Sequence, residues 1–490
     1  MIQVPALYLV DFYKVGHVVQ YPDDTQAIFI NWTPRSSRTG LKKVVNFGGQ
    51  VFIKEILLRC WNETFFQRPL VEVITQYKEI IRATLGVKNP KTDHIEYLHS
   101  LQYLPIEIFS IPEGFSVPLN CPTMVITNTD EKCFWLPNYI ETILSNMVWK
   151  ACTSATTAQQ YRKQFIKYAK EAGETELDFV NYQGHDFSMR GMSGVDDAVL
   201  SGMGHLLSFS GTDTVPAILT AKEYYGADYS VGGSVNATEH SVMCAGLKDD
   251  EYDTYVRLLT KVYPEGILSI VSDTWDLWHV LTDYLPRMKE MLMLRDGKLV
   301  IRPDSGDPVN ILCGDHDKPV EHPAYKGVLR LMAEALGAMD RPGLLPMIRK
   351  AGAIYGDSIT LDRQDQILYR TVHELKMSPF NVVLGIGSFT YEYVTRDTYG
   401  WAVKATAVRR GDKLYEIFKK PVTDDGQKNS HKGIVAVYRT QESTEEHPEY
   451  QVVQGATYEQ LNNCAFDKVF KDSKLLVEYK FDDIRKRVRA

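Results

Sequence analysis

Six stretches in the middle of the chain close a hydrophobic run with an acid, a histidine or a glycine pair. They are 206–214 (LLSFSGTDT), 234–241 (SVNATEHS), 267–276 (ILSIVSDTWD), 299–307 (LVIRPDSGD), 353–360 (AIYGDSIT) and 382–389 (VVLGIGSF). The densest lies at 301–307, where an apolar run delivers the Arg302 guanidinium and the Asp304 and Asp307 carboxylates into one turn of backbone. Such a group suits a ribose or a metal-bound phosphate, with carboxylates on hydroxyls or Mg2+ waters and the guanidinium on a phosphate or a planar polar group. The plainer alternative is a self-contained Arg302–Asp304 ion pair. Glu239 and His240 stand side by side, as a general acid/base or a phosphoryl acceptor would need, against the alternative of a satisfied core histidine. Asp213, Asp273 and Asp357 add further acids, and each also occupies a place where a helix N-cap contributing about 1 kcal/mol is expected.

Around these lie supporting groups. Asp186, Phe187, Arg190 and Gly191 set an aromatic ring and a guanidinium beside a permissive backbone, and Tyr13 offers a second aromatic among polar neighbours. Gly385 and Gly387 end an apolar run and can turn backbone N–H groups toward a phosphate. Arg396, Lys404, Lys419, Lys420, Lys428 and Lys432 give the carboxyl third a basic face, either merely solvated or ready for an anion.

The elements that must position these groups follow from periodicity. Most of the six stretches pair an apolar run of strand length with a capping Asp, Ser or Thr and then a helical pattern, the mark of repeated βα units. Parallel strands in such sheets gather their carboxyl ends at one rim, so residues far apart in sequence meet there. Extended runs at 26–32, 104–110 and 123–127, a helix near 49–60, and strands at 403–408, 413–418 and 434–438 joined by turns at 410–412 and 424–426 flank this rhythm. Residues 136–172 read as a long helix broken around 153–157, and the apolar 1–10 as a first strand rather than a leader peptide. The expected fold class is α/β: an irregular (β/α) barrel over 177–389, with a β-rich α+β domain built from both chain termini, 1–176 and 390–490.

The chain has 490 residues, 44% of them hydrophobic, enough for large cores, and a net charge of −7, so no basic field invites nucleic acid or an anionic membrane. Its seven cysteines are scattered with no Cys-x-x-Cys pair, which argues against a disulfide framework or structural zinc and for a reducing, cytoplasmic setting. No apolar run approaches the roughly 20 residues needed to span a bilayer.

Taken together, the motifs resemble the nicotinamide phosphoribosyltransferases, a group of type II phosphoribosyltransferases, over essentially the whole chain. The likeness is carried by Tyr13-Lys-Val, Gln20-Tyr-Pro, Asp186-Phe-x-x-Arg-Gly191, Gly211-Thr-Asp-Thr-Val215, Lys222-x-Tyr-Tyr-Gly226, Ser234-Val-x-Ala-x-Glu-His-Ser241, Val271-Ser-Asp273, Ile301-Arg-Pro-Asp-Ser-Gly306, Gly356-Asp357, Thr395-Arg-Asp397 and Phe481-Asp-x-Ile-Arg485. The resemblance implies synthesis of nicotinamide mononucleotide and pyrophosphate from nicotinamide and phosphoribosyl pyrophosphate, with Mg2+, ATP as a coupled substrate, and a homodimer whose sites lie at the interface. It implies that Phe187 and the partner subunit's Tyr13 sandwich the pyridine, that Asp213 accepts from the carboxamide, and that Arg302 flanks the ring. His240, beside Glu239, would carry a phosphoryl group, and Asp304 and Asp273, with Ser272, would serve the ribose and metal-pyrophosphate region. Arg190, Gly356, Asp357, Gly385 and Gly387 would contact the nucleotide, and Arg35, Arg396, Lys404, Lys419 and Lys428 would take pyrophosphate or ATP phosphates. Two positions depart from the pattern, Met189 in place of an aromatic and Ala402 in place of a hydroxyl residue, and the glycine-rich turn is reduced to Gly385-Ile-Gly-Ser-Phe389. Two rival readings have their own signatures: a nicotinate phosphoribosyltransferase would prefer the acidic base, and a metal-dependent barrel hydrolase would show several metal-binding histidines.

Overall fold

The computed structural model describes residues 4–419 and 430–490, which form two compact units. One unit contains the residues up to Thr156, with Thr220–Ala227 and Val394–Ala490; the other contains Thr157–Leu219 and Asp228–Tyr393.

In the second unit seven strands form one parallel sheet: β1 (Gly184–Asp186), β2 (Gly211–Thr212), β3 (Asn236–Ala237), β4 (Glu265–Val271), β5 (Asp296–Arg302), β6 (Ala351–Tyr355) and β7 (Val382–Ile386). Their order is β2-β1-β7-β6-β5-β4-β3, every neighbouring pair is parallel, and an isolated parallel bridge, Gly211 to Gly233, links the β2 edge to the segment entering β3. The sheet therefore curls until its two edges meet. Leu268, Ile270, Leu299, Ile301, Leu384 and Ile386 are buried, as parallel strands covered on both faces require, which is why β4 to β7 read as apolar runs. Helices follow the strands: Asp307 caps Pro308–Cys313 by accepting from Asn310 N (3.0 Å), and Thr360 caps Leu361–Tyr369 by accepting from Arg363 N (3.2 Å).

The first unit is built around an antiparallel sheet in the order Lys413–Glu416, Ala402–Arg410, Thr25–Thr33, Met124–Asn128, Ile106–Ser110, Asp467–Lys471, Lys474–Leu475. Both ends of the chain thus share one β layer. Glu113, buried behind it, accepts from Gly48 N, Gln50 N and the Tyr225 hydroxyl, and burial raises its pKa to about 7.

Three local expectations change. The segment 4–10 contains no strand: Pro5 starts a 3-10 turn, Ala6–Tyr8, whose Ala6 and Leu7 are buried, with Ala6 N on Thr64 Oγ1 and Leu7 O accepting from the Tyr139 hydroxyl. The helix Glu141–Glu171 runs unbroken through 153–157, because the Thr156 hydroxyl back-bonds to Cys152 O (2.7 Å) and so does not compete with the helix. Leu206 and Leu207 close the helix Val195–Ser208 rather than open a strand; an apolar run that short has no period to separate the two. The expected turn at 424–426 lies outside the described residues.

Candidate active site

All seven carboxyl ends of the parallel strands carry a group singled out from the sequence. Phe187 follows β1, Asp213 follows β2, Glu239 and His240 follow β3, and Ser272 and Asp273 follow β4. Arg302 and Asp304 end β5, Gly356 and Asp357 follow β6, and Gly387 follows β7.

At one end of the rim the Asp213 carboxylate accepts from His185 Nε2 (2.9 Å) and from Ser234 Oγ (2.6 Å), both on Oδ1. Burial pushes this carboxyl up, but the bonds from His185 and Ser234, with the Arg302 charge, outweigh it and hold it below the ordinary carboxylate value. The His185 ring lies 4.7 Å from that of Phe187. Phe187 in turn rests on two glycines: a Cβ on Gly385 would stand 2.3 Å from Phe187 Cδ2, and one on Gly356 would stand 3.2 Å from it. The glycine at 385 is thus required by the ring packed on it. Gly387, with φ −98° and only an ordinary contact with Gly356 O (4.0 Å) where a Cβ would stand, carries no such requirement.

At the other end Asp273 ties three loops together. It accepts from Asp304 N (2.9 Å) and Ser305 Oγ (2.5 Å) on Oδ2, and from His240 Nε2 (3.2 Å) on Oδ1. His240 is half-exposed, whereas the Asp273 side chain is 7% exposed, so a sheltered acid holds an accessible imidazole. Glu239 accepts from the Ser241 hydroxyl at the same helix start. Ser272 is buried, its hydroxyl turned back onto Ile270 O (2.7 Å), so it offers no side chain to the rim. Asp304 and Asp357 are exposed. Burial raises the Asp304 pKa, Arg302 opposes this, and Asp273 and Asp357 add to the rise, leaving it above the usual value.

Arg302 sits between the two ends. Nη2 donates to Thr238 O (2.6 Å), Nε is buried with no partner among the described residues, and Asp304, Asp213 and Asp273 all act on its charge. An orphaned buried N–H on a guanidinium is costly, and a polar ligand lying against it would remove that cost. Arg190, on the exposed turn Met189–Gly191, adds a like charge toward Arg302, and Gly191 leaves no room for a Cβ against Ser388 Oγ (2.2 Å). Beneath the rim His205 bonds Tyr391 Oη through Nδ1 (2.7 Å) and Gly211 O through Nε2 (2.9 Å), and burial holds its pKa down at about 4.

The first unit holds a separate cationic group. Burial lowers the Lys404 pKa, Glu141 opposes this, and Arg35, Lys419 and Arg396 lower it further, so these cations face one another. Arg35 Nε donates to Gly400 O (3.1 Å) and Arg396 lies 3.8 Å from Asp397. Like charges held together in this way suit a polyanion. Tyr13, on the short helix Phe12–Val15, is 61% exposed, and Lys420 and Lys428 lie outside the described residues.

The sequence carries no signal of its own for the roles of His185, Ser234, Ser305 and His205. Ser234 and Ser305 sat inside motifs already marked, but nothing in their spacing showed that their hydroxyls would turn onto Asp213 and Asp273.

A family model described as the nicotinate phosphoribosyltransferase (NAPRTase) family matches residues 182–473. The chain is 43% identical over 499 aligned residues to a nicotinamide phosphoribosyltransferase of Acinetobacter baylyi, covering 99% of this chain and 97% of that protein. It is 32% identical to a nicotinamide phosphoribosyltransferase of Mycoplasma pneumoniae, over 86% of this chain and 96% of that one. Among solved structures, the nicotinate-nucleotide pyrophosphorylase of Pyrococcus furiosus superposes with a TM-score of 0.60 at 14% identity, over 99% of this chain and 95% of that one, a likeness of fold.

Proposed function

This chain belongs to the nicotinate phosphoribosyltransferase family, and from that premise we propose that it transfers the phosphoribosyl group of phosphoribosyl pyrophosphate to nicotinamide. The products are nicotinamide mononucleotide and pyrophosphate, a step of NAD salvage. The observation that carries this reading is the Asp213 carboxylate, held ionised within one ring of Phe187 on a rim that also presents Arg302.

Displacement of pyrophosphate from the anomeric carbon passes through oxocarbenium-like charge, so the protein must position the pyridine nitrogen, exclude water and stabilise the leaving anion. Phe187 supplies one face for the pyridine, and the partner subunit's Tyr13 would supply the other in a homodimer, a role that suits its exposed ring. Stacking alone does not choose between the amide and the acid. Asp213 does: a substrate carboxylate about 4 Å away costs about 4 kcal/mol at an effective dielectric of 20, roughly a thousandfold, whereas an amide N–H gains a charge-assisted bond. Arg302, with its free Nε–H, flanks the base. Asp304 and Asp357 serve the ribose and phosphate side with Arg190, and within the first unit Arg35, Arg396, Lys404 and Lys419 gather charge suited to pyrophosphate or ATP phosphates.

Among the described residues no three His, Cys, Asp or Glu side chains cluster to hold a metal by themselves. One or two carboxylates beside substrate phosphates is the usual Mg2+ arrangement, and Asp304, whose pKa burial raises and the neighbouring Asp273 and Asp357 charges raise further, fits it. Bound there with the substrate, Mg2+ would neutralise the departing pyrophosphate. His240 suits a phosphoryl acceptor for ATP coupling: it is accessible, and Asp273 on Nε2 steadies the ring as it gains positive charge. Seven unpaired cysteines support a reducing cytoplasmic setting.

Mass spectrometry of products from nicotinamide or nicotinate with phosphoribosyl pyrophosphate and Mg2+, with and without labelled ATP, tests this. The expected result is nicotinamide mononucleotide, nicotinate turned over about a thousandfold less efficiently, and an acid-labile label that His240→Ala abolishes. Equal turnover of nicotinate overturns the choice of base, and absence of label with turnover indifferent to ATP overturns the phosphohistidine.

A further inference from the structure

Asp213 does not stand alone on its strand. β1 and β2 pair in parallel with His185 opposite Gly211, and the His185 ring lies across the space a side chain at 211 would fill: a Cβ there would come within 2.8 Å of Nδ1. Because 211 is glycine, the ring can lie flat over β2 and reach two residues onward with Nε2, to Asp213 Oδ1 at 2.9 Å. A carboxylate accepts only, so Nε2 carries the hydrogen. The second donor to the same oxygen arrives from across the barrel seam. Thr212 N donates to Gly233 O (3.0 Å) and Gly233 N to Ser210 O (2.8 Å), which brings Ser234 level with Asp213 and its Oγ to 2.6 Å from Oδ1. The His185 side chain is 10% exposed and that of Asp213 49%, so the donor is inside and the acceptor opens outward.

We propose that His185 is a specificity-determining positioning residue: with Ser234 it occupies Oδ1 of Asp213, which fixes the carboxylate rotamer and turns Oδ2, ionised, to the carboxamide N–H of the base. This rests on the reading of the base given above. The physical content is a division of labour between two oxygens of one group. Without the inner donors the carboxylate would rotate freely or fall back on Arg302, whose charge also acts on it, and would meet an amide and an acid on more equal terms. The same arrangement gives His185 no contact with the reacting carbon, so its loss falls on the KM for the base and on selectivity rather than on kcat.

The test compares wild type with His185→Leu, which removes the donor, His185→Gln, which keeps an N–H near the same place, and Ser234→Ala, at an exposed position where folding is not at stake. For each, kcat and KM are measured for nicotinamide and for nicotinate with saturating phosphoribosyl pyrophosphate and Mg2+, after thermal melts establish folding. The expected result for His185→Leu is a rise of about tenfold or more in the nicotinamide KM and an equal fall in the nicotinamide-to-nicotinate ratio, the size expected for a bond to a charged group. Ser234→Ala should lose less, and His185→Gln should recover most of the ratio. An unchanged ratio in folded His185→Leu overturns the inference while leaving the choice of base standing; so does a His185→Gln no better than His185→Leu, since the ring's shape and not its donor would then matter. If His185→Leu does not fold, Ser234→Ala and His185→Gln decide it, an unchanged ratio in Ser234→Ala together with a lost one in His185→Gln counting against. A wild-type preference for nicotinate, by contrast, overturns the reading of the base itself.

Discussion

Asp213 and Asp304 are the same residue type on the same rim, and their surroundings drive them in opposite directions. Asp213 meets His185, Ser234 and the Arg302 charge, and its pKa falls despite burial. Asp304 meets burial, Asp273 and Asp357, and its pKa rises despite Arg302. One end of the rim therefore presents an anion already matched to donors, ready to read a neutral hydrogen-bonding group. The other presents surplus negative charge, suited to hydroxyls or to a cation that arrives with the substrate. The Arg302 guanidinium lies between the two, and on the function proposed above this balance of charge along the rim would order the ligand from base to sugar.

The strongest blow to this contrast is Asp213→Asn. It should cut the efficiency with nicotinamide and reduce a roughly thousandfold discrimination against nicotinate to less than about tenfold, read from competition between the two bases. Gly385→Ala asks whether the Phe187 ring at the Asp213 end must lie where it does. Its Cβ would drive Phe187 and the Gly356 backbone apart, so we expect about 1–3 kcal/mol of destabilisation by melting and a KM for the base raised about tenfold. The smallest effect sharpens the contrast most, since its sign differs between the ends. A carboxyl whose folded pKa is depressed contributes stability above its ordinary value, near pH 4, and loses it as pH falls; one whose folded pKa is raised is stabilising below that value and loses this as pH rises. Melts of the unliganded protein between about pH 3 and pH 6 should therefore show wild type losing ground to Asp213→Asn on acidification and gaining ground on Asp304→Asn. Each change should stay below about 1 kcal/mol at these partly open positions. Parallel slopes would remove the contrast.

Much of the site was legible because its chemistry travels with its strands. β4, β5, β6 and β7 are apolar runs long enough to show a strand, and the acids and guanidinium at their ends could be marked before any coordinates. β1 was not visible: Gly184, His185 and Asp186 contain no apolar residue, and the strand exists because both neighbours pair with it. Its invisibility hid His185 as well. Asp213 could be marked, but taken alone a helix cap was the better-supported reading of it, because what distinguishes a ligand is which donors reach its side chain, a three-dimensional property. Gly385 was legible as a glycine that matters, although the expected reason was a phosphate and the packing reason is the Phe187 ring. The seven-strand order, with β2 and β3 at its edges and the Gly211–Gly233 bridge joining them, follows from curvature that no local pattern encodes.

That bridge has a consequence for how the molecule should fail. The main-chain stitches between 210–212 and Gly233 are where the cylinder is sewn shut, and the two residues next along each thread, Asp213 and Ser234, hydrogen-bond to each other at the rim. If the reading of the base holds, a distant lesion that lets the cylinder gape should lower the choice between the two rings before it lowers the melting temperature, with faster amide exchange at Thr212 and Gly233 as its signature.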